Sequence, residues 1–320
     1  MAVAREMGRA PLGARIFHRS TDAMKLRKIL VPLDGSAFGE RAIPFAAAIV
    51  ERTGCAMSLV HVRLPVPFAP EGVDAKTFEG TSEQYLAGVE SRLAQTATYE
   101  FTAELIHGRV EEALADRIET SEADLVVMAT HGRGPFSRFW LGSVAEAIIR
   151  RVTCPVLLVR QCRDREAAPG GDCFRHVLVP LDGSPAAEQV LEPALTLGTA
   201  FEARYTLVRA ATVSVPLPLI EDPGSVAPML EKQERDRAVA YLEGVATRLR
   251  DRGAEVEIAV PSAVHAAEGI LSHAVRNLAD LIAVTTSGRG GVDRGRIGSV
   301  ADKIIRGAET PVLVLKPSAG

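Results

Sequence analysis

The chain has 320 residues, 47% hydrophobic and 24% charged, a globular composition at a length suited to about two domains. Its net charge of −3 and pI near 6.2 provide no overall basic field for nucleic acid. Apolar runs such as Leu125–Ala129 and Leu281–Val284 fall far short of the ~20 residues a membrane helix needs.

Residues 1–24 carry Arg5, Arg9, Arg15 and Arg19 but no apolar stretch of signal-peptide length, and they read as a disordered extension. Cysteines at 55, 154, 162 and 173 form no C-x-x-C pair, the usage of a reducing compartment. These features predict a cytoplasmic protein with no membrane partner. Ile29–Leu33 is a short apolar strand. Ser36 stands as an N-cap before a helix over 40–51, whose apolar stripe is Ile43, Ala47 and Val50. Strand 56–62, a loop with Pro65, Pro67 and Pro70, helix 82–97, strand 99–106 and helix 110–121 follow. Strand 125–129, helix 143–151 and strand 156–159 complete the unit. Fully apolar strands alternating with helices predict an α/β fold with a parallel sheet covered on both faces.

The unit then repeats. Lys28–Ser36 reads KILVPLDGS and His176–Ser184 reads HVLVPLDGS, an offset of 148. Leu141-Gly142-Ser143-Val144-Ala145 matches Ile297-Gly298-Ser299-Val300-Ala301, and Cys154-Pro155-Val156-Leu157 matches Thr310-Pro311-Val312-Leu313, both at 156. The second copy therefore holds eight extra residues, which the pattern places around 211–251. Its strands are expected at 177–181, 205–208, 256–260, 281–284 and 312–315. The resulting division is a domain at 25–161, a linker at 162–174 and a second domain at 175–317.

In such sheets ligands bind beyond the carboxyl ends of the strands, where strand order reverses. Two segments per copy have that position. One is the acidic turn, Asp34-Gly35-Ser36 or Asp182-Gly183-Ser184. The other is the Gly- and Arg-rich loop over 130–142 or 286–298, which ends in Gly-Ser at a helix start. A helix N-terminus after glycine offers unpaired N–H groups and the positive end of the helix dipole, the outline of a phosphate site. Taken singly, Asp-Gly-Ser is also an ordinary turn and Gly-Ser an ordinary cap. Their recurrence in one order, twice, is what singles them out.

The string VVMATHGRGPFSRFWLGSVAEAIIRRVTCPVLLVR (126–160), following ILVPLDGS, resembles the universal stress protein family, as does the second copy. The resemblance spans nearly all of the chain outside 1–24 and the linker. It implies two Rossmann-like domains of the adenine nucleotide alpha hydrolase-like type, each a five-stranded parallel sheet of order 3-2-1-4-5 flanked by helices. In one branch it also implies ATP binding, with or without Mg, through G-x2-G-x9-G-[ST]; no Walker motif occurs here. Copy one matches at Gly132, Gly142 and Ser143, and copy two at Gly288, Gly298 and Ser299, but Ala129 and Thr285 replace the first glycine. By that analogy Asp34 holds the ribose or adenine edge, Val62 lines the adenine pocket, and Gly132, Gly142, Ser143 and Val144 cradle the phosphates. Pro32, Met128, Ala129 and Arg133 complete the implied site. Pro180, Asp182, Ala210, Gly288, Arg289, Gly298, Ser299 and Val300 form its counterpart. Glycine would let the backbone approach a ligand and take φ > 0 cheaply, so Thr285 and Ala210 make copy two the weaker site.

The expected function is a stress-response regulator binding an adenine nucleotide, mainly in domain 1, with a regulatory protein as a further partner. The alternative is a nucleotide-free interaction module of the same fold, favoured by the altered first glycines. No Ser–His–Asp set, paired carboxylates or metal cluster can be assembled from the motif residues, so no catalytic residue is assigned. Any ATPase activity should be very slow. The family pairs domains through their last strands, which predicts a pseudo-dimer within the chain and leaves room for a further homodimer.

Overall fold

The computed structural model describes residues 25–65, 75–130, 141–160, 173–212, 223–288 and 297–318. The first half runs β1 (Lys28–Leu33), a 3-10 turn (Gly39–Arg41), α1 (Ala42–Thr53), β2 (Ala56–Arg63), α2 (Ala75–Ala94) and β3 (Phe101–His107). It continues with α3 (Val110–Thr120), β4 (Leu125–Ala129), α4 (Ser143–Arg151) and β5 (Val156–Val159). The second half runs β6 (His176–Pro180), α5 (Pro185–Glu188), α6 (Leu191–Ala200), β7 (Arg204–Val208) and α7 (Pro223–Arg250). It ends with β8 (Val256–Ala259), α8 (Ala266–Arg276), β9 (Leu281–Thr285), α9 (Ser299–Gly307) and β10 (Val312–Leu315). The strands at 125–129, 156–159 and 312–315 and the helix at 143–151 coincide with those expected from the apolar pattern. The helix expected over 40–51 opens instead as the 3-10 turn, and α2 begins at 75 rather than 82.

The eight extra residues of the second half lie within one helix. Its start, 223, is 148 beyond that of α2, whereas its end, 250, is 156 beyond. They add just over two turns at about 3.6 residues per turn.

Among the described residues ten strands form a single sheet of order β3-β2-β1-β4-β5-β10-β9-β6-β7-β8. Each half has its strands in the order 3-2-1-4-5 and pairs them parallel. Only β5 and β10 pair antiparallel, with Leu157 opposite Leu313, Val156 opposite Val314 and Leu158 opposite Val312. Because 157 and 313 are equivalent in the repeat, this register places a local two-fold axis between them. The joint turns two half-sheets into one and removes an apolar edge from each.

Helices cover both faces. One face holds residues of α1, α2, α6 and α7, including Ile49, Phe45, Leu86, Leu195 and Leu242. The other holds Leu114, Ile118, Ile148, Ile149, Ile270 and Ile305 from α3, α4, α8 and α9. Each cluster is continuous across the two halves. At the seam Phe174 stacks on Phe45 of α1 at 6.1 Å and meets Phe201 edge-on at 5.1 Å. Two aspartates tie strand starts together in a repeated way. Asp124 accepts from the backbone N–H groups of Arg27 and Lys28 at 2.8 and 3.0 Å, and Asp280 from those of Arg175 and His176 at 3.0 and 2.9 Å.

Candidate functional site

Strand order reverses at β1, between β2 and β4, so the crevice of the first half opens beyond the carboxyl ends of these strands. β1 runs into Asp34-Gly35-Ser36, where Gly35 takes φ of 81°, a conformation suited to glycine. The turn folds back so that Ser36 donates to Asp34 Oδ1 from its N–H at 2.9 Å and from its hydroxyl at 2.6 Å. Ser36 Oγ in turn accepts from the Gly39 N–H at 3.1 Å, but the N-cap positions of the 3-10 turn and of α1 fall to Phe38 and Arg41, so the N-cap expected at Ser36 is displaced. The second half repeats this arrangement. Gly183 has φ of 89°, Ser184 N–H donates to Asp182 Oδ1 at 2.9 Å, and Ser184 Oγ accepts from Ala187 N–H at 3.1 Å.

The apolar wall follows from strand alternation. Leu30, Pro32 and Asp34 fall on one face of β1 by period two. Met128 at the end of β4 is buried in the cluster of that face, and Val62 of β2 and Val144 of α4 pack against it half-buried. Pro180 and Ala210 hold the corresponding places, with Ala210 packed against the same cluster. On the opposite side of β2, the buried His61 donates from Nδ1 to the Leu33 carbonyl at 2.8 Å and stands 5.2 Å from the Tyr85 ring. Arg209 takes its place in the second half, paired with Glu234 at 2.9 Å and lying 5.5 Å over Tyr241.

The helix starts face the same crevice. Gly142 and Gly298 are the N-cap residues of α4 and α9, and neither helix has a side-chain cap. Their first N–H groups therefore open outward with the positive dipole end behind them. Ser143 and Ser299 are the first helical residues and both are exposed, as is Val300. Gly298 has φ of −62°, and a Cβ there would meet the Thr286 carbonyl oxygen at an ordinary 3.5 Å. The fold itself does not require glycine at this position. Gly288 is the opposite case, since a Cβ there would collide with the Asp182 carboxylate. The loop after β9 thus lies directly against the acidic turn after β6.

Ala129 and Thr285 are the buried last residues of their strands. Among the described residues the non-glycines with positive φ are Glu122, Glu202 and Leu278. The expectation that glycine's φ freedom matters at 129 and 285 is therefore corrected: both hold extended strand backbone, and only the added bulk counts. Thr285 Oγ1 donates to the Ser287 carbonyl at 2.8 Å. Gly132, Arg133 and Arg289 lie outside the described residues.

Three residues per half escaped the sequence reading. Glu40 pairs with Arg92 at 2.7 Å, and Glu188 with Arg248 at 2.5 Å. Tyr241 donates to Glu188 Oε1 at 2.9 Å, and Tyr85 is its counterpart. All three recur at the repeat offsets, the signal that would have found them. Among the described residues no group of three or more His, Cys, Asp or Glu side chains is placed to hold a metal ion, and no helix is long and apolar enough to cross a membrane. Two open grooves, of about 630 and 660 Å³, lie at the amino ends of the strands, one beside Ile282 and Gly307 and one beside Lys28 and Phe101. Neither borders Asp34 or Asp182.

Comparison with known proteins finds the model of the universal stress protein family matching residues 25–160 and again 174–316. A universal stress protein of Mycolicibacterium smegmatis is 29% identical over 306 residues, covering 90% of this chain and 97% of the relative. One from Thermus aquaticus is 33% identical over 138 residues, covering 42% of this chain and 98% of its own length. The crystal structure of a universal stress protein from Archaeoglobus fulgidus superposes with a TM-score of 0.69 at 19% identity, over 92% of this chain and all (100%) of that one. This last likeness concerns the fold.

Proposed function

Since the chain belongs to the universal stress protein family, as its two matched spans show, we propose that it is a stress-response regulator that binds an adenine nucleotide, mainly in its first half. The observation that carries this reading is the pairing of an acidic turn with an uncapped helix N-terminus at one strand-end crevice. The glycine N-cap of α9 supports it, because the protein's own packing leaves room for a side chain there. A glycine that the fold does not need is what close approach of a phosphate to the helix N-terminus requires. Gly142 holds the same conformation, with φ of −62°.

In this reading the first N–H groups of α4 bind phosphate oxygens, with the Ser143 hydroxyl as a further donor. Val62 and Met128 enclose the base, Val144 lies with the phosphates at the start of α4, and Asp34 accepts from nucleoside donors. Gly132 and Arg133 would complete the phosphate loop. Mg accompanying ATP would be held chiefly by phosphates and water, as this ion commonly is. The residues that meet the nucleotide offer donors and packing but no oriented nucleophile, so turnover should fall far below about one per second. Cytoplasmic residence, pairing with a regulatory protein, and homodimers beyond the internal pairing belong to the same proposal.

A second reading, a nucleotide-free interaction module, gains support in the second half. There the Asp182 carboxylate packs against Gly288, and Thr285 adds bulk at the strand end. The test is to denature the purified protein and identify released small molecules by mass, then titrate the emptied protein with ATP. An adenine nucleotide released in near-stoichiometric amount supports the first reading. Empty protein that fails to bind millimolar ATP favours the second.

A further inference from the structure

Each half ties its second long helix to the acidic turn through three side chains. In the first half, Arg92 and Tyr85 stand seven residues apart on α2, two turns along one helix face. Arg92 pairs with Glu40 of the 3-10 turn at 2.7 Å. The Tyr85 hydroxyl is shut off from solvent and lies near the Glu40 and Asp34 carboxylates without a hydrogen bond to either. Glu40 follows Gly39, whose N–H donates to Ser36 Oγ at 3.1 Å, and that hydroxyl donates to Asp34 Oδ1 at 2.6 Å. Gly39 also backs directly onto the carboxylate, for a Cβ there would collide with Asp34 Oδ1. The path from α2 to Asp34 is therefore unbroken.

The second half rebuilds the same device from different elements. Arg248 and Tyr241 on α7 both reach Glu188 of α5, at 2.5 and 2.9 Å. α5 begins at the Ser184 cap that also donates to Asp182. This duplication survives the eight extra residues of α7, because both side chains lie beyond them. Ion pairs on a surface contribute little alone, so the recurrence of the same three residues beside the equivalent aspartate of the second half calls for a role in that aspartate's geometry.

We infer that Glu40, Tyr85 and Arg92, with Glu188, Tyr241 and Arg248, are positioning residues that hold Asp34 and Asp182 in the orientation a nucleoside meets. Arg92 also offsets the charge of Glu40, which would otherwise add to that of Asp34 beside an anionic ligand. Burial, together with Glu40 and Asp34, holds the Tyr85 hydroxyl well above the ordinary tyrosine range, so it stays neutral beside the two carboxylates. The inference rests on the nucleotide reading above and goes further by naming what sets the aspartate.

A double-mutant cycle on the full chain tests it, with Gly298→Trp blocking the second site throughout. ATP affinity is titrated for Asp34→Ala, Glu40→Ala and the pair, and thermal midpoints are recorded beside them. Glu40→Ala should weaken ATP about three- to ten-fold, in the range of a lost hydrogen bond. Once Asp34 is alanine, Glu40→Ala should have no further effect, because its influence passes through that carboxylate. Arg92→Lys should restore most of what Arg92→Ala loses. Losses from Glu40→Ala that simply add to those of Asp34→Ala, or that track a falling midpoint, would overturn the inference and leave the nucleotide site standing. If Asp34→Ala leaves ATP affinity unchanged, the inference fails while ATP binding stands; if the parent binds no ATP, the nucleotide reading itself fails and this one with it.

Discussion

Glu202 and Leu278 hold left-handed backbone with φ of 53°, a conformation that costs a non-glycine residue about 1–2 kcal/mol. The repeat shows what the fold prefers at one of these sites. Glu202 is the counterpart of Gly54, which ends α1 with φ of 69°. Leu278 gains little from its side chain in return, being 71% exposed. Replacing either by glycine should stabilise the protein by about 0.5–1 kcal/mol, after the greater freedom of glycine in the unfolded chain is allowed for. Chemical denaturation measures this, and a loss of stability in both variants would refute it. His176 makes a second prediction. Its ring donates from Nδ1 to the Asn277 carbonyl at 3.0 Å and accepts at Nε2 from the Thr206 hydroxyl at 2.7 Å. Burial, with Arg204 adding to it, holds its pKa below the ordinary histidine value. The unfolded chain therefore binds a proton more readily than the folded one. The stability from the neutral ring is fully present above about pH 6.5 and declines as pH falls toward the folded pKa. Thermal midpoints between pH 7.5 and 5 should fall, and His176→Gln should flatten part of that slope. His273, likewise lowered by burial, adds a loss of the same sign that remains in the variant.

At the scale of elements, the two candidate sites differ in their walls while sharing their helix starts. α4 and α9 begin with the same glycine geometry, so their contributions to an anion should be similar. The strands differ: Ala210 stands for Val62, and Thr285 for Ala129, with the Thr285 hydroxyl already bound to Ser287. A loss of two methyl-sized groups of contact would weaken the second site by about 1–2 kcal/mol at ~0.8 per buried CH₂, or about five- to thirty-fold. Because both positions are extended backbone, the penalty at 285 is one of bulk, without added backbone strain. Titration of Gly142→Trp and Gly298→Trp with ATP should show that the first variant loses the tighter site. The reverse result would show that the second half binds more strongly. The helices are also held at their far ends by the opposite half. Arg160, just beyond β5, donates to the Arg306 carbonyl of α9 at 2.7 Å and also to that of Ile305. Its counterpart Lys316 donates to the Arg151 carbonyl of α4 at 3.2 Å. Cations at a helix carboxyl end meet unpaired carbonyls and the negative end of the dipole. Arg306 adds a direct link between α9 and α4 through Glu146 at 3.2 Å.

For the whole molecule, the antiparallel joint of β5 and β10 makes one ten-stranded sheet. Val156, Leu157 and Leu158 are fully buried there. A chain ending at residue 160 would expose them on an open edge, a ready template for pairing. Since the register is two-fold about Leu157 and Leu313, β5 can pair with a second β5 in the same geometry. Residues 25–160 produced alone should therefore form a dimer, and Leu157→Lys should disrupt it. Sedimentation equilibrium distinguishes the outcomes, and a stable monomer at tens of micromolar would argue that the joint depends on contacts from α6 and the Phe174 seam.

By itself the sequence determined most strands and helices and their duplication, because these depend on neighbours along the chain, though not the 3-10 turn before α1 or the first turns of α2. Fully apolar runs of four or five residues are strands wherever helices follow them, and the mismatch between offsets of 148 and 156 locates the extra turns of α7. The Asp-Gly-Ser turns and Gly-Ser helix starts were legible for the same reason: φ > 0 at Gly35 and Gly183, the Ser36 hydroxyl's bond to Gly39 and the cap at Ser184 are local events. Only the tertiary structure decided what meets across the fold. Glu40 and Arg92 are 52 residues apart in the chain, Asp124 reaches back to the start of β1, and Asp182 lies against Gly288. Periodicity says which face of an element is buried and is silent on which distant side chain that face will touch. Such pairings are set by strand order and by the crossing of helices over the sheet, which exist only once the chain has closed on itself.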